Sequence, residues 1–156
     1  MSAASNYLEN KVLDHVLSEG ARTFTSPATL YLALFSGSPT DVLAALEAGT
    51  NSTTGSSNWG YYEITSASGY ERTGVNFAAA SGGSATTSGD VTFPSAGANY
   101  NNTANSGSTV TCIAVVDSGT LGAGNVMFYG QLDNPKEILN GDTFQVATGN
   151  LTVSLA

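Results

Sequence analysis

The sequence predicts a mainly β fold, an antiparallel β-sandwich or jelly-roll-like domain, and three observations support this prediction. Short apolar runs recur along most of the chain, several of them with alternating polar and apolar residues, a spacing typical of antiparallel sheets. Gly, Asn, Asp and Ser separate the runs and supply turns. One amphipathic helical segment precedes all of them. Because 156 residues fit a single domain with its own core, we expect one β-sandwich domain over residues 1–156.

The first element is a helix predicted over residues 5–20. Asn6 is a suitable N-cap, with Glu9 placed to complete a capping box, and Gly20 is a suitable C-terminal stop. An apolar stripe runs along this helix, formed by Leu8, Val12, Val16, Leu13 and Leu17. Since so short a helix is marginal in isolation, we expect the stripe to pack on the domain or on a neighbouring subunit.

The next element is a strand over residues 30–35, "LYLALF", which is apolar on both faces. Such a strand is buried on both sides and lies centrally in its sheet, and we expect the first helix to cover one face. A second short helix is predicted from Thr40 or Asp41 to Gly49. The polar residues 50–60 then form a loop.

The rest of the chain is predicted to form short strands. The runs are residues 61–65, 72–80, 90–94, 108–117, 125–132, 142–147 and 150–156. The tripeptide "TGN" at residues 148–150 is typical of a tight hairpin turn. The polar loop 95–108 is long enough to act as a contact arm, and we expect it and residues 42–60 to contact other molecules.

Composition and charge exclude several classes of function. The net charge is −8, and the four basic residues do not cluster, which argues against binding to nucleic acid or to an anionic membrane. No apolar run approaches the ~20 residues of a membrane span. The N-terminus lacks a signal-peptide pattern, and the single cysteine, Cys112, excludes an intramolecular disulfide. We therefore expect synthesis in a reducing cytoplasm.

A search for catalytic residues finds no set that points to a reaction. His15 is the one histidine, and a surface or interface position explains it better than a catalytic one. Cys112 lies within a predicted strand, as a small buried side chain would. Glu63, Glu71 and Asp90 are candidates for a pair of glycosidase carboxylates, but their spacing does not predict that they meet. The sequence therefore predicts a protein that is not an enzyme.

Binding sites for metals and sugars were weighed in the same way. Asp117, Asp133 and Asp142 lie in loops that suit Ca²⁺, but no EF-hand spacing is present, and solvated turn residues are the simpler interpretation. Several aromatic residues follow one another closely and suit either a sugar-stacking platform or a core: Trp59, Tyr61, Tyr62 and Tyr70. We predict no metal and no cofactor.

A combination of segments in a fixed order gives the chain a resemblance. They are "SNYLENKVLDHVL", "TSPATLYLALFSGSPTD", "YERTGVNFAAASGG", "DVTFP" and "MFYGQLDNPKEILNGDTFQVATGNLTVSL". Together they resemble a family of small virion structural proteins of tailed bacteriophages, variously labelled tail-fibre-like, minor tail or head-decoration proteins. Residues 42–60 and 97–108 are longer than the family pattern. The resemblance implies a structural role in a virion and carries no catalytic residues.

From the residues and the resemblance together we expect a non-enzymatic capsid decoration (cement) protein that binds the outer shell as a symmetric oligomer, a trimer. The alternatives are a tail-fibre, minor-tail or baseplate component, and a carbohydrate-binding module for the host surface. Expected partners are the major capsid protein or other virion proteins, and copies of the chain itself. The protein is expected in the virion, after assembly in the host cytoplasm. The predicted interface residues are Leu8, Val12, Val16, Trp59, Tyr61, Tyr62 and Tyr100.

Overall fold

The computed structural model describes residues 2–20, 23–48, 50–104 and 107–155. Parts of the predictions that fall on Met1, Gly49, residues 105–106 and Ala156 lie outside them. The elements in chain order are β1 (Ser2–Ala4), α1 (Asn6–Leu17), β2 (Leu30–Phe35), α2 (Pro39–Ala48), β3 (Thr73–Val75), β4 (Ser84–Thr86), β5 (Val91–Thr92), β6 (Thr109–Val116), β7 (Val126–Glu137), β8 (Gln145–Val146) and β9 (Thr152–Ser154). Two 3-10 helices, Trp59–Tyr61 and Ser66–Ser68, lie between α2 and β3.

Antiparallel sheets dominate the fold, as predicted. The largest sheet has five strands in the order β1-β7-β6-β2-β3. Two smaller sheets pair β4 with β9 and β5 with β8. All of these pairings are antiparallel, and the prediction of a mainly β, sandwich-like fold is confirmed.

Strand β2 lies between β6 and β3 in this sheet, which confirms its predicted central position. One face, with Ala33 and Phe35, packs on α2 through a cluster that includes Val42 and Leu46. The other face belongs to a larger cluster that includes Leu32. Helix α2 therefore covers the face with Ala33 and Phe35, and α1 contributes Leu8 to the cluster on the other face.

Helix α1 is confirmed with shifted ends. Its N-cap is Ser5 rather than Asn6, since the Ser5 hydroxyl accepts a hydrogen bond from the Leu8 backbone N–H at 3.3 Å. The helix ends at Leu17, before the predicted stop at Gly20. Leu8 is buried and Val12 half-buried, whereas the remaining apolar residues of the stripe are exposed: Leu13, Val16 and Leu17. Two of the five stripe residues therefore pack on the domain, and three face solvent.

Several strand predictions are wrong. Residues 61–65 contain the end of a 3-10 helix and a single bridge between Glu63 and Phe35. The predicted hairpin at residues 148–150 does not form, because β8 pairs with β5 and β9 pairs with β4. Strand β4 was not predicted, since its residues are small and polar and lack the apolar alternation of a strand.

Candidate interaction surface

A groove of about 1030 Å³ lies at the β1–β7 edge of the five-stranded sheet. Its floor is the sheet face, with Leu32, Ile113 and Val115. One wall is α1, and the opposite wall is residues 150–155, which contain β9. Because floor and walls are mostly apolar, the groove fits a peptide or protein segment better than a charged metabolite.

Helix α1 extends this apolar surface beyond the groove. Leu13 lines the groove and is 54% exposed, and Leu155 on the opposite wall is 59% exposed. Val16 and Leu17 lie one turn further along α1 and are 61% and 72% exposed. Leu13, Val16 and Leu17 are three and four residues apart and therefore share one face of α1, and exposed apolar residues grouped in this way are typical of an interaction site.

The charged residues that line the groove are Glu9 on α1 and Asp133 on β7, and both are acidic. Lys11, the nearest basic residue of α1, lies over the Tyr7 ring with Nζ 5.9 Å from the ring centroid. No basic residue is among the described residues that line the groove. The groove is therefore an apolar slot with a negative rim.

A buried ion pair organises the opposite edge of the sheet. Arg72, which immediately precedes β3, donates from Nε to Glu63 Oε1 at 2.6 Å and from Nη2 to Oε2 at 2.8 Å. Both side chains are almost completely buried. The guanidinium also lies over the Trp59 ring, with Cζ 5.4 Å from its centroid. We call Glu63, Arg72 and Trp59 the charge clamp.

The charge clamp holds the loop between β6 and β7 against the body. Arg72 Nη1 donates to the carbonyls of Ser118 and Ala123 at 2.6 and 2.8 Å, and the Gly122 N–H donates to Glu63 at 3.3 Å. Gly124 has a φ of +84°, and a Cβ there would lie 2.5 Å from the Asp117 carboxylate. The conformation of this loop therefore depends on glycine at position 124.

The predicted interface residues fall into two groups. Leu8 and Val12 pack against the domain and line the groove, and Val16 is exposed beside it. Trp59, Tyr62 and Tyr100 are 0–5% exposed, so within this chain they belong to the core. Core contacts explain their burial: Trp59 packs edge-on against Phe35 at a centroid distance of 6.3 Å. Tyr61 is half-buried. The interface role itself stays a prediction.

Sequence reasoning missed most of the groove. Leu132 and Leu155 line it together with Leu13, and in the sequence each belongs to a separate run. The sequence signal was the excess width of the stripe on α1, since Leu13 and Leu17 extend it further than one packed face requires. The groove itself follows from the pairing of β4 with β9 beside α1, which the local pattern does not encode.

The candidate catalytic residues are placed apart from the groove or in different roles. His15 and Glu71 are exposed, and Asp90 accepts hydrogen bonds from Thr148. The carboxylate of Glu63 is held by Arg72. Cys112 is buried, and desolvation raises the pKa of its thiol to about 11. Glu63 and Asp90 therefore have different hydrogen-bond partners, and their contacts do not support a catalytic carboxylate pair.

Two of the aspartates that were candidates for calcium ligands accept hydrogen bonds from nearby residues. Asp117 accepts hydrogen bonds from the Asn125 backbone and side-chain amides at 2.6 and 2.8 Å. Asp142 accepts one from the Leu139 N–H at 2.9 Å. Across the described ranges, no three His, Cys, Asp or Glu side chains come together as metal ligands would. Neither helix in the described part of the chain has the length and apolarity needed to cross a membrane.

The chain matches a known protein family. A family model described as "Podophage GP4 fiber I protein gp80" matches residues 3–154. The match covers α1, both smaller sheets and all but the first residue of the five-stranded sheet. No curated protein matches the sequence.

Proposed function

The chain belongs to the family of the podophage GP4 fiber I protein gp80, and on this premise we propose that it is a fibre component of the tail of a phage virion. The family match confirms the resemblance to virion structural proteins of tailed phages. Since it covers residues 3–154, the whole domain carries the relationship. This match is the observation on which the proposal depends.

A fibre role replaces capsid decoration as the preferred function. Decoration was expected from the resemblance and from a net charge of −8, and both suit the outside of a tail equally well. The family description names a fibre, so the tail-fibre alternative has the better support. Under this proposal the partners are other tail proteins and copies of the chain in a symmetric oligomer.

We propose that the protein works through its surfaces and catalyses no reaction. The contacts of the charge clamp support this, because Glu63 is held by Arg72 and a backbone amide. The burial of Cys112 supports it as well. The exposed residues of α1 and the groove beside it offer a contact surface, whereas the clamp ties the loop between β6 and β7 to the opposite edge.

A carbohydrate-binding module receives less support. A sugar-stacking platform needs an exposed aromatic face, but Trp59 and Tyr70 are both 0% exposed. Their rings pack against other rings, with Tyr70 stacked on Phe93 at a centroid distance of 5.9 Å. We therefore offer no glycan ligand for these residues.

Localisation on purified particles tests the fibre proposal. An antibody against the protein, visualised by immunogold electron microscopy, is expected to label the tail, and quantitative gels are expected to give a small copy number per particle. Because oligomers have closed symmetry, the number of copies per particle should be a small multiple of the order of the tail's rotational symmetry. Label distributed over the head, with hundreds of copies, would refute the fibre proposal and restore decoration.

A further inference from the structure

We infer that Asn140 is a site of spontaneous deamidation, and that hydrogen bonds with residues 95–99 protect it in the folded protein. In this modification the backbone nitrogen of Gly141 displaces ammonia from the Asn140 side chain, and water then completes the reaction. The inference rests on the local sequence, on the shape of one turn and on the hydrogen bonds that hold this turn. It does not depend on the proposed fibre role.

The sequence distinguishes Asn140 from the other asparagines of the chain. It is the only asparagine that is followed by glycine. A side chain on the following residue hinders the approach of its backbone nitrogen to the asparagine, and glycine has none. Asn140 and Gly141 are both exposed, so water reaches them. Asn140 therefore has the least hindered attacking nitrogen next to it and free access for water.

The reaction has two steps whose atoms balance. In the first step, Gly141 N bonds to Asn140 Cγ, the bond from Cγ to Nδ2 breaks, and the proton of the Gly141 N–H leaves with the amide as ammonia. In the second step, water opens the cyclic imide at one of its two carbonyl carbons. One opening gives aspartate, and the other gives isoaspartate, in which the main chain runs through Cβ and Cγ. Either product adds a carboxylate two residues from Asp142, in a chain whose net charge is already −8.

The turn at residues 139–142 favours glycine at position 141. The Asp142 N–H donates to the Leu139 carbonyl at 3.0 Å, which closes a turn over these residues. Gly141 has a φ of +91°, a left-handed value that suits glycine better than residues with a side chain. The labile pair is therefore part of the turn geometry, and its protection has to come from contacts with other residues.

Residues 95–99 supply these contacts through backbone atoms. The Gly141 N–H donates to the Ala96 carbonyl at 2.7 Å, and the Ala96 N–H donates to the Asp142 carbonyl at 2.8 Å. The attacking nitrogen has to lose the proton that it donates to Ala96. The reaction therefore requires the turn to separate from residues 95–99 by a local opening, and the folded protein protects Asn140 while the two segments stay together.

Two exposed side chains add to the backbone contacts. The Ser95 hydroxyl donates to the Gly141 carbonyl at 3.1 Å, and Asn99 Oδ1 accepts from the Asn140 N–H at 2.9 Å. Because Ser95 and Asn99 are both exposed, their replacement should weaken the contact with the turn and leave the core unchanged.

Isoaspartate at position 140 would weaken the same contacts. It lengthens the main chain between Asn140 and Gly141, so the bond of Asn140 to Asn99 and the bond of Gly141 to Ala96 lose their common register. Residues 95–99 would then be held less tightly. They belong to the loop for which the sequence predicts contacts with other molecules, so the modification would change that surface.

Incubation of the full-length protein in mildly alkaline buffer tests the inference, because hydroxide removes the Gly141 proton. Trypsin cleaves after Lys136, and the peptide that begins at Glu137 contains two asparagines, Asn140 and Asn150. Mass spectrometry of this peptide follows the replacement of each amide by a carboxyl. Asn140 should react at least about tenfold more slowly in the folded protein than in the urea-unfolded chain. In the unfolded chain it should react faster than Asn150.

A double variant tests the protecting contacts without changing the sequence around Asn140. Ser95→Ala with Asn99→Ala should react at Asn140 at least about threefold faster than the folded wild type, and at the wild-type rate in urea. Thr103→Ala is the matched control, a change at an exposed position of the same loop. Among the described residues, Thr103 takes part in none of the hydrogen bonds of residues 139–142, so its rate should equal that of the wild type.

Four outcomes would overturn the inference. They are equal rates at Asn140 in the folded and unfolded protein, a folded double variant that reacts no faster than Thr103→Ala, a faster reaction at Asn150 than at Asn140 in urea, and unprotected hydrogen exchange at the Gly141 amide of the wild type. The exchange measurement needs no variant, so it decides the matter if the double variant does not fold. Localisation on the particle bears on the fibre proposal alone.

Discussion

Arg72 and Glu63 form a bidentate ion pair inside the protein, with nitrogen–oxygen distances of 2.6 and 2.8 Å. They are nine residues apart in the chain, and the pair joins the segment after the first 3-10 helix to the start of β3. Through the carbonyls of Ser118 and Ala123 it also fixes the loop between β6 and β7. Three separate segments thus depend on one guanidinium.

Arg72→Met is expected to destabilise the protein by about 3–5 kcal/mol, because it leaves the Glu63 carboxylate buried without its partner. Arg72→Lys should restore little, since an ammonium cannot make the bidentate contact and both carbonyl contacts together. Urea denaturation measures the free energy of unfolding. The double variant Glu63→Leu with Arg72→Met is the control and should lose less than Arg72→Met alone. A single variant within about 1 kcal/mol of the wild type would contradict the charge clamp.

Variants of Ser5 and Asn6 distinguish the observed N-cap, Ser5, from the predicted N-cap, Asn6. Ser5 accepts from the Leu8 N–H and donates to the Val126 carbonyl, so Ser5→Ala should cost about 1 kcal/mol or more. Asn6 is exposed and lies inside α1, so Asn6→Ala should change stability by less than about 0.5 kcal/mol. Urea denaturation of both variants gives the comparison. A larger loss for Asn6→Ala would place the N-cap one residue later.

The stripe on α1 divides into packed residues and exposed residues. Leu8 is 5% exposed and Leu17 is 72% exposed. Leu8→Ala is therefore expected to cost about 2–5 kcal/mol, from lost burial and the cavity left behind. Leu17→Ala should stay within about 0.5 kcal/mol of the wild type. Denaturation of the purified protein checks both values, and equal losses would mean that α1 packs along its whole length.

Local patterns predicted the elements whose signals are local. Residues 30–35 are apolar on both faces and form β2, and the capped amphipathic segment forms α1. The predictions were wrong where contacts between residues distant in the sequence decide the local structure. Residues 61–65 have the pattern of a strand, but a 3-10 helix ends at Tyr61, and Glu63 pairs with Arg72. The turn at Gly149 is real, yet it joins strands of different sheets.

For the same reason, the sequence predicted the wall of the groove that α1 forms but not the opposite wall. Leu8, Val12 and Val16 follow from helical periodicity, and the structure places them in or beside the groove. The opposite wall, with Val153 and Leu155, requires the pairing of β9 with β4, which connects residues about 70 apart. The burial of the aromatic residues was left open by the sequence, because strand and loop patterns do not distinguish a buried ring from an exposed one.

Asp90 should give the protein an acid-sensitive contribution to stability. The Thr148 backbone N–H and hydroxyl donate to Asp90 Oδ1 at 2.8 and 2.7 Å, and they lower the pKa of this carboxyl below its ordinary value of 3.8. Because the folded-state pKa is lowered, the contribution is present above the unfolded-state pKa. It is lost as the pH falls through the folded-state pKa.

The Asp90→Asn variant tests this pH dependence. Urea denaturation of wild type and variant at about pH 6 and about pH 2.5 should show a stability difference at the higher pH that shrinks at the lower one. Glu71→Gln, a change at another exposed carboxyl, is the control and should leave the pH profile of the wild type. A difference between wild type and Asp90→Asn that is the same at both pH values would contradict the hydrogen-bonded carboxylate.

Cys112 is expected to be unreactive in the folded protein. Cys112 lies on β6, is 0% exposed in the cluster between the sheet and α2, and desolvation raises the pKa of its thiol to about 11. At about pH 8 little thiolate forms, and reagents reach it only when the core opens. Ellman's reagent should therefore label the folded protein at least about 100-fold more slowly than the urea-unfolded chain. Cys112→Ala should give no signal in either state, and labelling of the folded protein within seconds would show that the α2 face of the sheet opens readily.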